Sequence, residues 1–138
     1  MNTKLIFRLS FLGLVMAVAT VFWISPKAEP FFWLIIFIIC AYIIARECTK
    51  RYFLHGFLVS MLNSVYITAA HIYFYQTYIS NHPDEMNLMN AFPLPYSPRV
   101  TMLMVGPAFG IGFGIILGIF AFVASKIVHR KVKHKSKN

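Results

Sequence analysis

The chain has 138 residues, of which 59% are hydrophobic and 12% charged, with a formal net charge of +9. Soluble domains carry roughly 25% charged residues, so this composition excludes a water-facing globule. The apolar residues come in blocks, not in the strict alternation of barrel strands, which leaves helices as the structure that satisfies its backbone in lipid.

The first block spans residues 5–24, with Lys4 and Arg8 preceding or entering it. Ala17-Val18-Ala19 resembles a signal-peptide cleavage site. The apolar run continues through Thr20-Val21-Phe22-Trp23-Ile24, however, so a retained span is the favoured expectation over a cleaved signal. Ser25-Pro26-Lys27-Ala28-Glu29-Pro30 then forms a tight connector, its two prolines breaking helix and presetting a turn. The second block, residues 31–45, opens on a run of large residues, Phe31-Phe32-Trp33-Leu34-Ile35-Ile36-Phe37. Such a surface holds neighbouring backbones apart, which predicts a lipid-facing, peripheral helix. Trp23 and Trp33 flank one connector and suit an aromatic belt at one membrane interface.

A basic connector, residues 46–51, leads into the third block, residues 52–78. About 20 residues cross the hydrocarbon core, so the aromatic stretch from Tyr73 to Tyr78 is expected to emerge at an interface. The longest connector, residues 80–99, holds Pro83, Pro93, Pro95 and Pro98, which disfavours a continuous helix; a short interfacial turn is expected over residues 86–92. The fourth block spans residues 100–125, and a basic tail occupies residues 126–138. The expected architecture is a single all-α domain, residues 1–138, with four transmembrane helices.

Charge orients it. Lys4, Arg8, Arg46, Lys50, Arg51, Lys126, Arg130, Lys131, Lys133, Lys135 and Lys137 fall on one side, and only Lys27 and Arg99 on the other. Basic residues near span ends stay cytoplasmic, which predicts a plasma (inner) membrane protein with both termini inside. The tail residues Lys126, Arg130, Lys131, Lys133, Lys135 and Lys137 suit anionic lipid headgroups, each contributing about 1 kcal/mol near the surface. Lipid is favoured over nucleic acid as their partner.

Gly106, Gly110, Gly114 and Gly118 recur every four residues in the fourth span and so share one helix face. Glycine weakens helices in water, but in lipid such a row permits close approach of a second helix. Gly56, Ser60, Ser64 and Thr68 form a row of the same period in the third span. The two rows are expected to pack on each other, with packing against another copy of the chain as the alternative. Asn63, Ser64, His71 and Tyr75 are candidates for a polar pathway or ligand site, because polar groups at membrane depth are either functional or interhelical glue. Asn63 faces a different side from the serines.

The sequence offers no catalytic constellation. The predicted spans contain no carboxylate, which counts against ion-coupled transport. His82-Pro83-Asp84-Glu85 has metal-capable groups, but not at a metal-site spacing. Cys40 and Cys48 make no CxxC pair and read as a packing residue and a free thiol. Neither metal nor cofactor is expected.

Gly56-Phe57 opens the third span after a basic connector, the outer loop is rich in proline, and the last span begins Gly106-Pro107 and ends in basic residues. Through these features the second half of the chain resembles a family of four-span bacterial membrane proteins catalogued as domain of unknown function 4199. The resemblance implies a fold and a membrane location, and no chemistry. The functional expectation is a non-enzymatic inner-membrane protein, structural or accessory, that acts by helix packing with itself or a membrane partner. The alternative is a small transporter or channel lined by the polar stripe of the third span; a lipid-acting enzyme is the weakest of the three.

Overall fold

A computed structural model describes residues 1–91 and 96–135, with side chains described outside 88–90 and 129–135. The described chain is all-helical: α1 Thr3–Phe22, α2 Glu29–Glu47, α3 Tyr52–Tyr73, α4 Tyr75–Asn81, α5 Pro83–Ala91 and α6 Pro98–Lys135. Four of these, α1, α2, α3 and α6, are long and apolar enough to cross a membrane.

Several boundaries differ from the sequence expectation. The second span begins earlier, because Pro30 is accommodated in the first turn of α2, where a missing N–H leaves no bond unmade. Glu29 thereby joins the helix, and with Glu47 as its last residue α2 carries a carboxylate at each end. The third span stops at Tyr73. Phe74 leaves the helical region (φ −97°, ψ 32°), and the chain restarts as α4. Phe74 packs edge-on against Phe22 of α1, 5.1 Å between ring centroids, while Tyr75 and Tyr78 turn inward. In the long connector, Pro83 starts a helix instead of preventing one, with Asp84 and Glu85 favourably placed in its first turn. Of the expected turn at 86–92, residues 86–91 belong to α5 and residue 92 lies outside the described residues. The helix of the last span continues beyond Ser125: α6 runs on through Lys135. No glycine or proline interrupts that stretch, and basic residues suit a helix C-terminal end.

The four spans do not pack in chain order. The broadest contact joins α3 to α6; α1 lies against α3, and α2 against α6. α3 and α6 are therefore the inner pair and α1 and α2 the flanks. α2 contacts α6 through Phe37, Cys40, Ala41, Ile44 and Ala45, and leaves Phe31, Phe32, Leu34, Ile35, Ile38 and Ile39 exposed. Phe37 makes part of this contact, its ring edge-on to Phe113 and Phe120 of α6. One apolar cluster, built on Leu5, Leu9, Phe37, Ile44, Val59 and Leu117, draws all four spans together toward the end that carries Asn2 and the α2–α3 connector. A second joins Val21, Tyr75, Tyr78 and Met102 at the opposite end, beneath α4.

α1 is packed along its length, with Ala17 and Val21 fully buried. At its start, His55 ties α1 to α3. The ring accepts from the Asn2 N–H at Nε2 (3.0 Å), and its Nδ1 lies 2.8 Å from the Arg51 carbonyl. Since a carbonyl only accepts, the proton belongs on Nδ1, and a neutral imidazole is satisfied at both nitrogens. Arg51 itself adopts the left-handed conformation (φ 58°) that turns the chain into α3.

Candidate functional site

Two places gather polar or small side chains inside the bundle: the seam between the inner helices, and the end capped by α4 and α5.

At the seam, α3 and α6 run antiparallel. A Cβ placed on Gly56 would stand 2.6 Å from the Leu117 carbonyl oxygen and 3.0 Å from Gly118 Cα. Here backbone faces backbone. A Cβ on Gly110 would meet the Ser64 hydroxyl and come within 2.7 Å of Ser64 Cβ; on Gly106 it would meet Thr68. Gly114 and Gly118 receive the rings of Phe57 and Phe53, at 2.8 and 2.7 Å from the same imagined atom. Gly112, off this face, has open space. Ser60 is buried, and the Ser64 hydroxyl donates to its own helix at Met61 O (2.8 Å). Such back-bonding satisfies a hydroxyl in an apolar setting without a partner helix.

Asn63 belongs to a different contact. It faces α1, where a Cβ on Gly13 would stand 2.8 Å from Asn63 Cβ. With its amide nitrogen turned inward, Asn63 donates to Ser10 O and to Val59 O, each at 3.2 Å. Gly13 and Ser10 were not among the residues singled out from sequence. A lone glycine carries no periodic signal, although Gly13 lies three residues after Ser10 and four before Ala17, which is a small-residue face. Asn63 and Ser64 thus point to opposite neighbours, and His71 and Tyr75 lie far along the bundle. The four pathway candidates do not share one cavity wall.

The capped end holds the denser polar group. His71 stacks on Tyr78 at 3.8 Å between centroids, and Tyr78 stacks on His82 at 4.4 Å. The Tyr78 hydroxyl donates to the Glu85 carboxylate. Burial first, then this carboxylate, pushes the phenol above its ordinary range, so it stays a donor. Trp33 Nε1 donates to Glu29 Oε1 (3.1 Å), and Glu29 Oε2 lies 3.9 Å from His82 Nε2. Thr20 Oγ1 lies 3.5 Å from His71 Nε2, and Asn81 Nδ2 donates to Val21 O (2.7 Å). Glu29, His71, Tyr78 and Glu85 come from four helices and His82 from the residue between α4 and α5; the sequence marks His71 and the His82–Glu85 stretch separately, but not their meeting with Glu29 and Tyr78. Tyr75 is buried beside them, with the Arg99 guanidinium 5.2 Å above its ring. No group of three or more His, Cys, Asp or Glu among the described residues has the geometry to hold a metal.

Of the basic residues assigned to lipid, Lys126 is exposed, its ammonium 5.1 Å from the Phe122 ring centroid. The side chains of Arg130, Lys131, Lys133 and Lys135, and all of Lys137, lie outside the described residues. Cys40 and Cys48 are both buried free thiols.

Comparison of the chain with protein-family models, curated proteins and solved structures finds no match.

Proposed function

We propose that this protein is a non-enzymatic, multi-pass inner-membrane protein of accessory type that docks a further transmembrane helix on the outward face of α6. The observation that carries this reading is the space at Gly112. There α6 presents a shallow apolar groove lined by Val105, Ala108, Phe109, Phe113 and Ile116, on a face away from its contact with α3. Ala108 and Gly112 are four residues apart, the spacing that lets helix backbones approach in lipid. The glycines of the other face already oppose α3 within the chain, so a partner is offered this second face instead. The occupant is an apolar helix of a second copy or of another membrane protein. Both termini are cytoplasmic in this proposal, and the basic end of α6 meets anionic headgroups.

Ser60, Asn63 and Ser64 are only 3%, 2% and 8% exposed, and their hydrogen-bonding groups, where partners are seen, turn to backbone. That favours the docking reading over a channel lined by the third span.

The test is disulfide crosslinking in native membranes from a Gly112→Cys chain lacking Cys40 and Cys48. A crosslinked species is expected, with Gly112→Leu shrinking the complex on native gels. A monomer in both assays, with no crosslink at any oxidant level, would remove the docking reading.

A further inference from the structure

The two histidines that are tied most closely into the backbone differ in one respect. His55 has a partner at each ring nitrogen in its neutral form. His82 does not. Its Nδ1 lies 3.2 Å from the Tyr78 carbonyl, which can only accept, so Nδ1 carries the proton. Nε2 is then a bare lone pair in a neutral ring. It is fully buried, makes no hydrogen bond among the described residues, and faces Glu29 Oε2 at 3.9 Å. Two acceptors therefore confront each other, the imidazole nitrogen fully buried and the carboxylate partly exposed. The other Glu29 oxygen is engaged by the Trp33 indole, which holds the carboxylate in place.

One proton resolves the conflict. Bound at Nε2, it converts the pair into an imidazolium donating to a carboxylate, a charge-assisted bond that strengthens in a dry setting. We propose that the capped end of the bundle is a proton-binding site, in which a single proton taken from solvent between His82 Nε2 and Glu29 Oε2 fastens α4 and α5 to the first turn of α2. The surroundings favour a positive charge at this point. Glu85 of α5 and Glu29 of α2 both stand near His82, and Tyr78 of α4 lies on its ring as a neutral donor to Glu85. His71 of α3 is the other titratable neighbour, one ring further along the stack. α1 contributes Thr20 and the Val21 carbonyl, neither of which titrates. From α6 the nearest charge is Arg99, held over Tyr75, and Lys27 in the α1–α2 connector is exposed. Without the proton, the lone pair and the carboxylate repel, and the cap loses this tie while keeping Asn81, the aromatic stack, the Tyr78–Glu85 bond and the apolar packing of Tyr75 and Tyr78.

Trp33 reports on this directly, because its indole is bonded to Glu29. In the full chain carrying Trp23→Phe, reconstituted in nanodiscs, Trp33 emission is expected to show one single-proton transition as the pH is varied. Hydrogen exchange over residues 75–91 gives a second readout. Below the midpoint, where the closed cap holds the proton and the opened one does not, protection corrected for intrinsic exchange should fall about tenfold per pH unit, the slope for one linked proton, and above the midpoint it should level off. His82→Gln and Glu29→Gln should each abolish the transition and the slope, while His71→Gln keeps both. Glu29→Gln leaves the His82 side chain in place, so it decides the matter if His82→Gln misfolds. A flat parental titration, a transition that survives in either of those variants, or one that disappears in His71→Gln would each overturn the proposal.

Discussion

Gly56 and Gly110 lie in the same seam but oppose different obstacles. A methyl at Gly110 meets the Ser64 side chain, which can be removed; a methyl at Gly56 meets the Leu117 carbonyl and Gly118 Cα, which cannot. Overpacking of this kind destabilises by about 1–3 kcal/mol. Gly110→Ala is therefore expected to lower the denaturation midpoint in detergent, and Ser64→Gly to restore much of the loss. Gly56→Ala should cost more, with no single side-chain deletion on α6 restoring it. Gly112→Ala, set in open space, should leave the isolated chain's midpoint unchanged. Equal gains at Gly56, Gly110 and Gly112 would show that helix propensity, not contact, governs these positions. The period of four in both rows is visible in the sequence. Which residue of one row stands against which of the other is a matter of helix rotation and register, and neither leaves a local trace. Gly13 shows the same limit more sharply, because one glycine has no period, and only its approach to Asn63 marks it.

The helices depart from their sequence-based bounds wherever proline or a charged residue was read as a stop. Pro30 and Pro83 sit in first turns, where the missing N–H breaks no bond. The basic stretch after Ser125 continues α6 because straight-chain cationic residues are good helix formers and match the negative end of the helix dipole. The continuous helix carries the backbone of the basic stretch as far as Lys135. With Lys126, Arg130, Lys131, Lys133, Lys135 and Lys137 as the lipid-facing set, a peptide of residues 120–138 should partition onto vesicles containing anionic lipid. Replacing three of those residues with Gln should weaken partitioning by about 3 kcal/mol at low salt, at roughly 1 kcal/mol each. Equal binding to neutral vesicles, measured by the same titration, would assign the attraction to the apolar part of the peptide.

Taken whole, the molecule is an inner pair of helices with two flanks and a polar cap at one end. Its basic residues are divided so unevenly between the ends that a single orientation is expected in a membrane. Tags placed before Met1 and after Asn138 should both resist protease added outside intact cells and become sensitive in inverted vesicles. A mixed population, or protection of only one tag in either preparation, would contradict the orientation drawn from charge. The same experiment places the cap: with both termini inside, the site at His82 and Glu29 faces the outside, where external pH reaches it.

Composition and block pattern were enough to determine that the chain is helical with four segments able to cross a membrane, because hydrocarbon thickness and backbone satisfaction are properties each segment meets alone. The small-residue rows of the third and fourth spans were likewise visible residue by residue. Only the tertiary structure decided the lateral order, α1 and α2 on the flanks of α3 and α6. In lipid no apolar-burial force ranks one neighbour over another, so shape complementarity between distant segments makes the choice. The capped end depended on the fold still more. His71 and the His82–Glu85 stretch stand out separately in the chain, but with Glu29 and Tyr78 they become a coupled group only when the break at Phe74 folds α4 and α5 back over the start of α2.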